Sequence, residues 1–328
     1  MAREGDSEMR LLGSLTKGCW IILVGLAVSV GAACQPGMGP VGVPGCDDLA
    51  AGDFECMIGT RMYLLHVPAN LASPAPFVID SHGLGSTAAG QRRLSGWLQL
   101  SDQQGFVVAH PQGVGNSFNG TGGCCTFNNA MDDVGFFRLI VGRALVAGAG
   151  RIDPQRVIAT GFSNGGAISH RIACEAADMF AAIAPVAFSL GTPTIMATPP
   201  PADVVAAGCK PSKPITMMQT HGTADTVADF NLGVLGALPA PASLEAWTMV
   251  NRCSSATGAM FSVPPNVNCE LRSAACAGGS QVSLCRVEGS QHNAFTPVLQ
   301  QTGMSIPQII YPRLLTAIQS QLNAGNSR

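Results

Sequence analysis

The chain has 328 residues, 47% of them hydrophobic and 12% charged, with a formal net charge of −2. That length and apolar content suit one large domain or two small ones and exclude a chain disordered throughout. The near-neutral balance, without any Lys/Arg run, excludes the electrostatic footprint of a nucleic-acid binder or of a protein held on an anionic membrane surface.

In chain order, Arg10 and Lys17 precede an apolar run over residues 20–28 that leads into Gly31-Ala32-Ala33-Cys34. The run is shorter than the roughly 20 residues a membrane span requires, and its flanks match an export signal. Met9 is an alternative start, because beginning there removes Glu4, Asp6 and Glu8 from a region that should be positive. Gly31-Ala32-Ala33-Cys34 resembles a bacterial lipoprotein box, which would make Cys34 a lipidated residue and the chain's one membrane attachment. Cleavage after the small residues is the alternative, and either route exports the protein. Residues 1–34 are therefore expected as signal, 35–54 as a Pro/Gly-rich tether, and 55–328 as a single folded domain. Setting aside Cys19 and Cys34 leaves ten cysteines, an even number that points to disulfides in an exported chain. The local pairing options are Cys46 with Cys56 and pairs within 253–285. No zinc-type spacing of Cys and His is present, so no metal and no organic cofactor is expected.

Strand-like and helix-like stretches then alternate. Residues 61–67 and 77–81 read as strands, the latter running into His82-Gly83-Leu84-Gly85. A helical pattern covers 87–104, and 106–109 is a buried strand followed by a Gly/Asn-rich loop over 112–130. An apolar helix spans 134–146, with Asp132 or Asp133 as its N-cap. Strands follow at 156–160, 181–186, 214–220 and 281–287, and helices at 167–176, 243–251 and 307–322. The Pro/Ala-rich stretch 190–213 reads as an insertion or cap-like loop. Alternation of this kind implies an α/β fold, a mostly parallel central sheet covered by helices on both faces.

In such sheets chemistry gathers beyond the carboxyl ends of the strands. Gly161-Phe162-Ser163-Asn164-Gly165 sits between a predicted strand and a predicted helix and fits the G-x-S-x-G turn that exposes a nucleophilic serine. Asp225 follows the 214–220 strand and His292 follows the 281–287 strand. The order Ser, Asp, His is the one expected of a serine hydrolase on this architecture. A serine hydroxyl needs a neighbouring imidazole to take its proton, and an acid must fix that imidazole's tautomer. Of the six histidines, His66 and His110 fall in or beside strands and His170 in a helix. His82 belongs to a loop, and His221 opens the turn that carries Asp225. His292, in a late polar loop, is the expected base. The developing oxyanion would be met by the backbone amides of Asn164 and Leu84. Phe118 and Phe127, in the 112–130 loop, are expected to contact substrate, or else to anchor the loop.

The stretches HGLGST, CCTFNNAMDDVGFF, GFSNGGAISHRIACEAADMFAAIAPVA and HGTAD together resemble the polyhydroxybutyrate depolymerase and feruloyl esterase-like group of exported α/β-hydrolases. The resemblance covers roughly residues 55–325. It implies Ser163 as nucleophile, Asp225 as acid and His292 as base. The implied activity is an acyl-enzyme carboxylesterase acting on short polyesters or their oligomers, or on feruloyl or acetyl esters of plant polysaccharide; separately, a monomer is expected. Where that group often carries a tryptophan beside the base, this chain reads Ser290-Gln291-His292-Asn293-Ala294-Phe295. Similar serine and aspartate turns occur in prolyl-oligopeptidase-like peptidases. The lack of a propeller-sized region before the serine turn argues against that reading, which stays the lesser alternative.

Overall fold

In the computed structural model, residues 43–120, 131–192, 200–234, 236–254, 258–272, 276–293 and 295–326 are described. The expected signal with Cys34, the first part of the tether and Phe127 lie outside them. In chain order the elements are β1 (Gly52–Ile58), β2 (Arg61–Val67), β3 (Ala75–Ser81), α1 (Ala88–Leu94), α2 (Trp97–Gln104) and β4 (Val107–Pro111). Next come α3 (Asp133–Gly148), β5 (Ile152–Phe162), α4 (Asn164–Glu175), β6 (Ala182–Val186), α5 (Ala202–Gly208) and β7 (Thr216–Gly222). The chain closes with α6 (Ala240–Val250), β8 (Ala259–Val263), β9 (Val267–Arg272), β10 (Val282–Val287), α7 (Phe295–Thr302) and α8 (Ile306–Asn326).

The strands make one sheet in the order β1-β2-β4-β3-β5-β6-β7-β10-β9-β8. The block from β4 to β10 is parallel, and antiparallel strands extend both edges. β3, β4, β6 and β7 are buried along their whole length; their residues are mainly apolar, and polar members such as Asp80, Gln219 and His221 are hydrogen-bonded within the fold. Because successive side chains point to opposite faces, each strand feeds two cores. Phe77, Ile79, Val157, Ala159 and Met217 join Phe137, Ile140, Ile172 and Trp247 of α3, α4 and α6. Val78, Ile158 and Met218 join Trp97 of α2 and Ile309, Ile310 and Leu314 of α8 on the other face.

The expected helix over 87–104 is two helices. Thr87 caps the first by accepting the Gly90 N–H (3.0 Å), and Gly96, at φ 83°, turns the chain into the second. Asp132 is the N-cap of α3, accepting the Gly135 N–H at 2.7 Å, while Asp133 is buried and pairs with Arg61 at 2.6 Å. The stretch 190–213 contains α5, which is tied to α4 by a Cys174–Cys209 disulfide. Further disulfides join Cys46 to Cys56, Cys253 to Cys276 and Cys269 to Cys285. The tether does not extend to residue 54. Residues 43–54 pack on the fold through Cys46–Cys56, the buried Leu49 and an Arg143–Asp47 pair at 2.8 Å. The edge strands β1 and β8, and β9 beside the latter, escape a search for apolar runs because they alternate or stay half exposed.

Candidate active site

Ser163 lies between β5 and α4 with φ 52° and ψ −115°, a backbone conformation that L-residues rarely hold. The glycines around it answer a steric demand. A Cβ on Gly161 would lie 2.6 Å from the Ser81 carbonyl oxygen, and one on Gly165 would overlap the same oxygen. Strand, turn and helix can approach this closely only because both positions lack a side chain. The Ser163 N–H donates to the Val186 carbonyl (2.8 Å), which fastens the turn to the neighbouring strand.

Three strand ends converge here. Asp225 follows β7 and His292 follows β10, and the structure brings both to Ser163. His292 Nε2 is 2.9 Å from Ser163 Oγ, and His292 Nδ1 is 2.7 Å from Asp225 Oδ2. An ionised carboxylate can only accept, so Nδ1 carries the proton and Nε2 is left to accept the serine hydroxyl. Asp225 is almost wholly buried. Burial alone would raise its carboxyl, but hydrogen bonds from His221, His292 and the Val227 N–H hold it well below the usual carboxylate range. Its Oδ1 accepts the N–H groups of Val227 (2.9 Å) and Ala228 (3.0 Å). Asp229, four residues further on, instead accepts the Asn231 and Leu232 N–H groups, both at 2.8 Å.

A second imidazole lies on the Asp225 carboxylate, a contact that the placing of His221 at the opening of the turn does not by itself predict. His221 Nε2 lies 3.3 Å from Asp225 Oδ2 and 2.8 Å from the Ala228 carbonyl. Both are acceptors, so Nε2 is protonated and Nδ1 accepts from Gln219 (3.2 Å). Gln219 is itself held by Ser189 (3.0 Å) and Ser243 (2.9 Å). The signal was present in the His221-Gly222-Thr223-Ala224-Asp225 spacing, which returns the carboxylate to the ring in a tight turn.

The loop after β3 presses against the serine: a Cβ on Gly83 would sit 3.4 Å from Ser163 Cβ. His82 sets this loop by donating from Nδ1 to the Gly83 carbonyl (2.8 Å) and accepting the Gly113 N–H at Nε2 (3.0 Å). Burial lowers its imidazole below the usual value, which suits the neutral ring those bonds require. Leu84 is exposed on this loop and lines the cavity in front of Ser163. Asn164 is the first residue of α4. The first amides of a helix have no intrahelical acceptor, and the helical bonding begins with Ala167 N–H to Ser163 O (2.9 Å). Its side chain is engaged elsewhere, accepting the Phe118 N–H (2.7 Å) and donating to the Phe118 carbonyl (2.8 Å).

Phe118 is the correction. It is fully buried, with ring centroids 4.6 Å from His82 and 5.9 Å from Phe137. A ring with no exposed surface cannot stack on substrate, so Phe118 anchors the loop from behind. The cavity over Ser163 holds about 610 Å³ and is walled by other apolar groups, chiefly Leu84, Leu94, Phe162, Phe188, Val234 and Phe295. Its polar groups beyond Ser163 and His292 include Asn293 and Gln91, the latter donating to the buried Asp80 at 2.7 Å. Among the described residues, no Asp, Glu, Lys or Arg lines it. Asn293 and Phe295, beside His292, both line the cavity. Among the described residues, no cluster of His, Cys, Asp and Glu is arranged to hold a metal ion.

Comparison with known proteins agrees with this architecture. Residues 93–200, which include Ser163, match the prolyl oligopeptidase family. The chain is 31% identical to feruloyl esterase B of Piromyces equi over 66% of its own length and 39% of that protein. It is 33% identical to poly(3-hydroxyalkanoate) depolymerase C of Paucimonas lemoignei over 41% of its length and 33% of that protein. It thus spans less than half the length of either relative. Among solved structures, an acetyl xylan esterase from Aspergillus awamori superposes with a TM-score of 0.57 at 18% identity, covering 74% of this chain and 95% of that one. The chain has the α/β-hydrolase fold, and its relatives include a feruloyl esterase and a poly(3-hydroxyalkanoate) depolymerase, the group its motifs resemble.

Proposed function

We propose that the chain is an exported serine carboxylesterase. The observation that carries this reading is the hydrogen-bonded line from Ser163 Oγ through His292 to Asp225, opening into an apolar cavity without charged walls. Ser163 attacks the ester carbonyl as His292 takes its proton, and Asp225 stabilises the imidazolium. The amides of Asn164 and Leu84 receive the oxyanion, and loss of the alcohol leaves an acyl-enzyme. His292 then activates water, which releases the acid and restores the serine. An uncharged cavity of this size favours neutral esters with short or flat acyl groups, because a buried charge would find no partner there. The disulfides support export, since such bonds persist in oxidising compartments.

Within this class the leading substrate is an oligomer of a short hydroxyalkanoate. A second reading, an aromatic ester of the ferulate type, is favoured by Phe162, Phe188 and Phe295 in the cavity wall and by the longer match to the feruloyl esterase. A panel of esters separates the two. p-Nitrophenyl acetate or butyrate should be cleaved well, the palmitate poorly, and peptide anilides not at all. If methyl ferulate gave kcat/KM at least tenfold above hydroxybutyrate oligomers, a gap of about 1.4 kcal/mol, the second reading would replace the first. Inertness towards every ester would overturn both.

A further inference from the structure

The chain has three lysines, and two of them, Lys210 and Lys213, line a single cleft together with Arg252. The cleft holds about 420 Å³, within the range of roughly 300–1,000 Å³ that small-ligand sites occupy. It lies where the segment leading into β7 meets the end of α6 and Ala277. Lys213 stands three residues before β7, whereas Asp225 stands beyond its far end. A seven-residue strand therefore separates the cleft from the catalytic line, a distance of about 20 Å. No basic run announces the site in the sequence, because Arg252 is remote from the lysines in the chain.

Three features distinguish this cluster from scattered surface charge. The first is that none of the three cations makes an ion pair with any described residue, in a molecule where Arg138, Arg143, Arg156, Arg171, Arg272 and Arg286 all do. The segments that build the cleft carry no acid to pair with: residues 204–224, 246–269 and 271–287 contain neither Asp nor Glu. Asp178, the acid that acts on Lys213, is already gripped by Arg138 through bonds of 2.7 and 2.6 Å. The second is that the walls are rigid. Cys209 is bonded to Cys174, and Cys253, next to Arg252, is bonded to Cys276. The buried Asn251 donates to the Ile215 carbonyl (2.7 Å) and accepts its N–H (3.3 Å), while the Asn251 carbonyl accepts the Ala277 N–H (2.8 Å). The third is that cations alternate with apolar wall, supplied by Pro211, Pro214, Met249 and Val250. Cations are favoured near helix C-termini, which explains Lys210 after α5 and Arg252 after α6 taken singly. That effect does not place Lys213, which follows no helix, on the same cleft. Burial holds the Lys213 ammonium below its usual value, so it gains from a bound anion.

We propose that this cleft binds an acidic sugar, with the carboxylate among Lys210, Lys213 and Arg252 and the C–H face of the ring on the proline, methionine and valine side chains. Such a site would hold an acidic polysaccharide at a distance from the serine and is independent of the esterase reading. The test is isothermal titration of the oxidised protein with oligogalacturonate, with neutral galacto-oligosaccharide and inorganic phosphate as comparison probes. Oligogalacturonate should bind one to one, weaken at least tenfold in a Lys210→Gln, Lys213→Gln, Arg252→Gln variant, and weaken as salt is raised. The neutral sugar should not bind. None of the three side chains makes an ion pair with a described residue, so the variant should keep the wild-type melting temperature and its turnover of p-nitrophenyl acetate. Equal binding by variant and wild type, or no binding of the uronate, would overturn the proposal. Phosphate binding as tightly as the uronate would overturn the sugar assignment and give the cleft to phosphate groups. Binding is measured without turnover and can be repeated in Ser163→Ala, so its failure is separate from any failure of the esterase mechanism.

Discussion

Replacing His170 by Asn should flatten the protein's loss of stability in acid. His170 lies in α4 with no exposed surface; its Nδ1 accepts the Trp247 indole N–H (3.0 Å) and its Nε2–H donates to the Phe188 carbonyl (3.3 Å). Both ring nitrogens are thus committed to the neutral form, and a second proton would face the indole N–H. Burial pushes the imidazole down to about 3, opposed by the Phe188 carbonyl and reinforced by His221. An unfolded histidine takes its proton near pH 6.5. Between pH 6.5 and 3 the unfolded chain therefore binds a proton that the native state refuses. Stability is full above pH 6.5 and falls by about 1.4 kcal/mol for each unit below it, up to about 5 kcal/mol over the whole window. Asn keeps an acceptor for Trp247 and does not titrate, at a pH-independent loss of about 1–3 kcal/mol. Urea unfolding of the oxidised protein at pH 7.5, 6, 5 and 4 gives both curves. The wild-type advantage should shrink by about 1.4 kcal/mol per unit below pH 6. Parallel curves would refute the argument that His170 is held neutral.

Three further outcomes are expected. Ser163→Ala and His292→Ala should each lower kcat on a p-nitrophenyl ester by about 10⁴–10⁶, with the double variant little worse because the pair acts as a unit; steady-state kinetics checks this, and near-wild-type turnover by either would remove the mechanism. Asp225→Asn should lose roughly 10³–10⁴ in kcat, whereas Asp229→Asn should change little, since Asp229 only caps a local turn; the reverse result would reassign the acid. Phe118→Ala should lower stability by about 3–5 kcal/mol in urea melts and leave the ratio of kcat/KM for butyrate and ferulate esters within about twofold; a selective change in that ratio would return Phe118 to the substrate.

Much of this site is legible because its signals are local. The glycines at 161 and 165 are demanded by atoms of an adjacent strand, yet they announce themselves as a five-residue pattern beside a β-branched run. Asp225 and His292 are recognisable because each follows a buried apolar strand, and strand ends in a parallel sheet share one edge. Interior strands such as β4 and β6 declare themselves as short apolar runs, whereas β1, β8 and β9, at or next to the sheet edges, do not, since their side chains alternate with or lie partly in water.

Tertiary structure decided what depends on segments far apart in the chain. Phe118 and the cavity-lining Phe295 are the same residue type in polar surroundings, and only packing against His82 and Phe137 puts one ring in the core. The Cys174–Cys209 bridge could not be chosen by spacing, because the path of the intervening chain sets which sulfurs meet. His221 became a partner of Asp225 through the turn after β7 and the buried Gln219 behind it. Lys210, Lys213 and Arg252 became one cationic cleft only when α6 packed beside the entry to β7. Periodicity and turn chemistry act over a few residues and can be read along the chain. Which distant side chains share a cavity, a charge or a sulfur is set by the packing of whole elements, and that appears only in three dimensions.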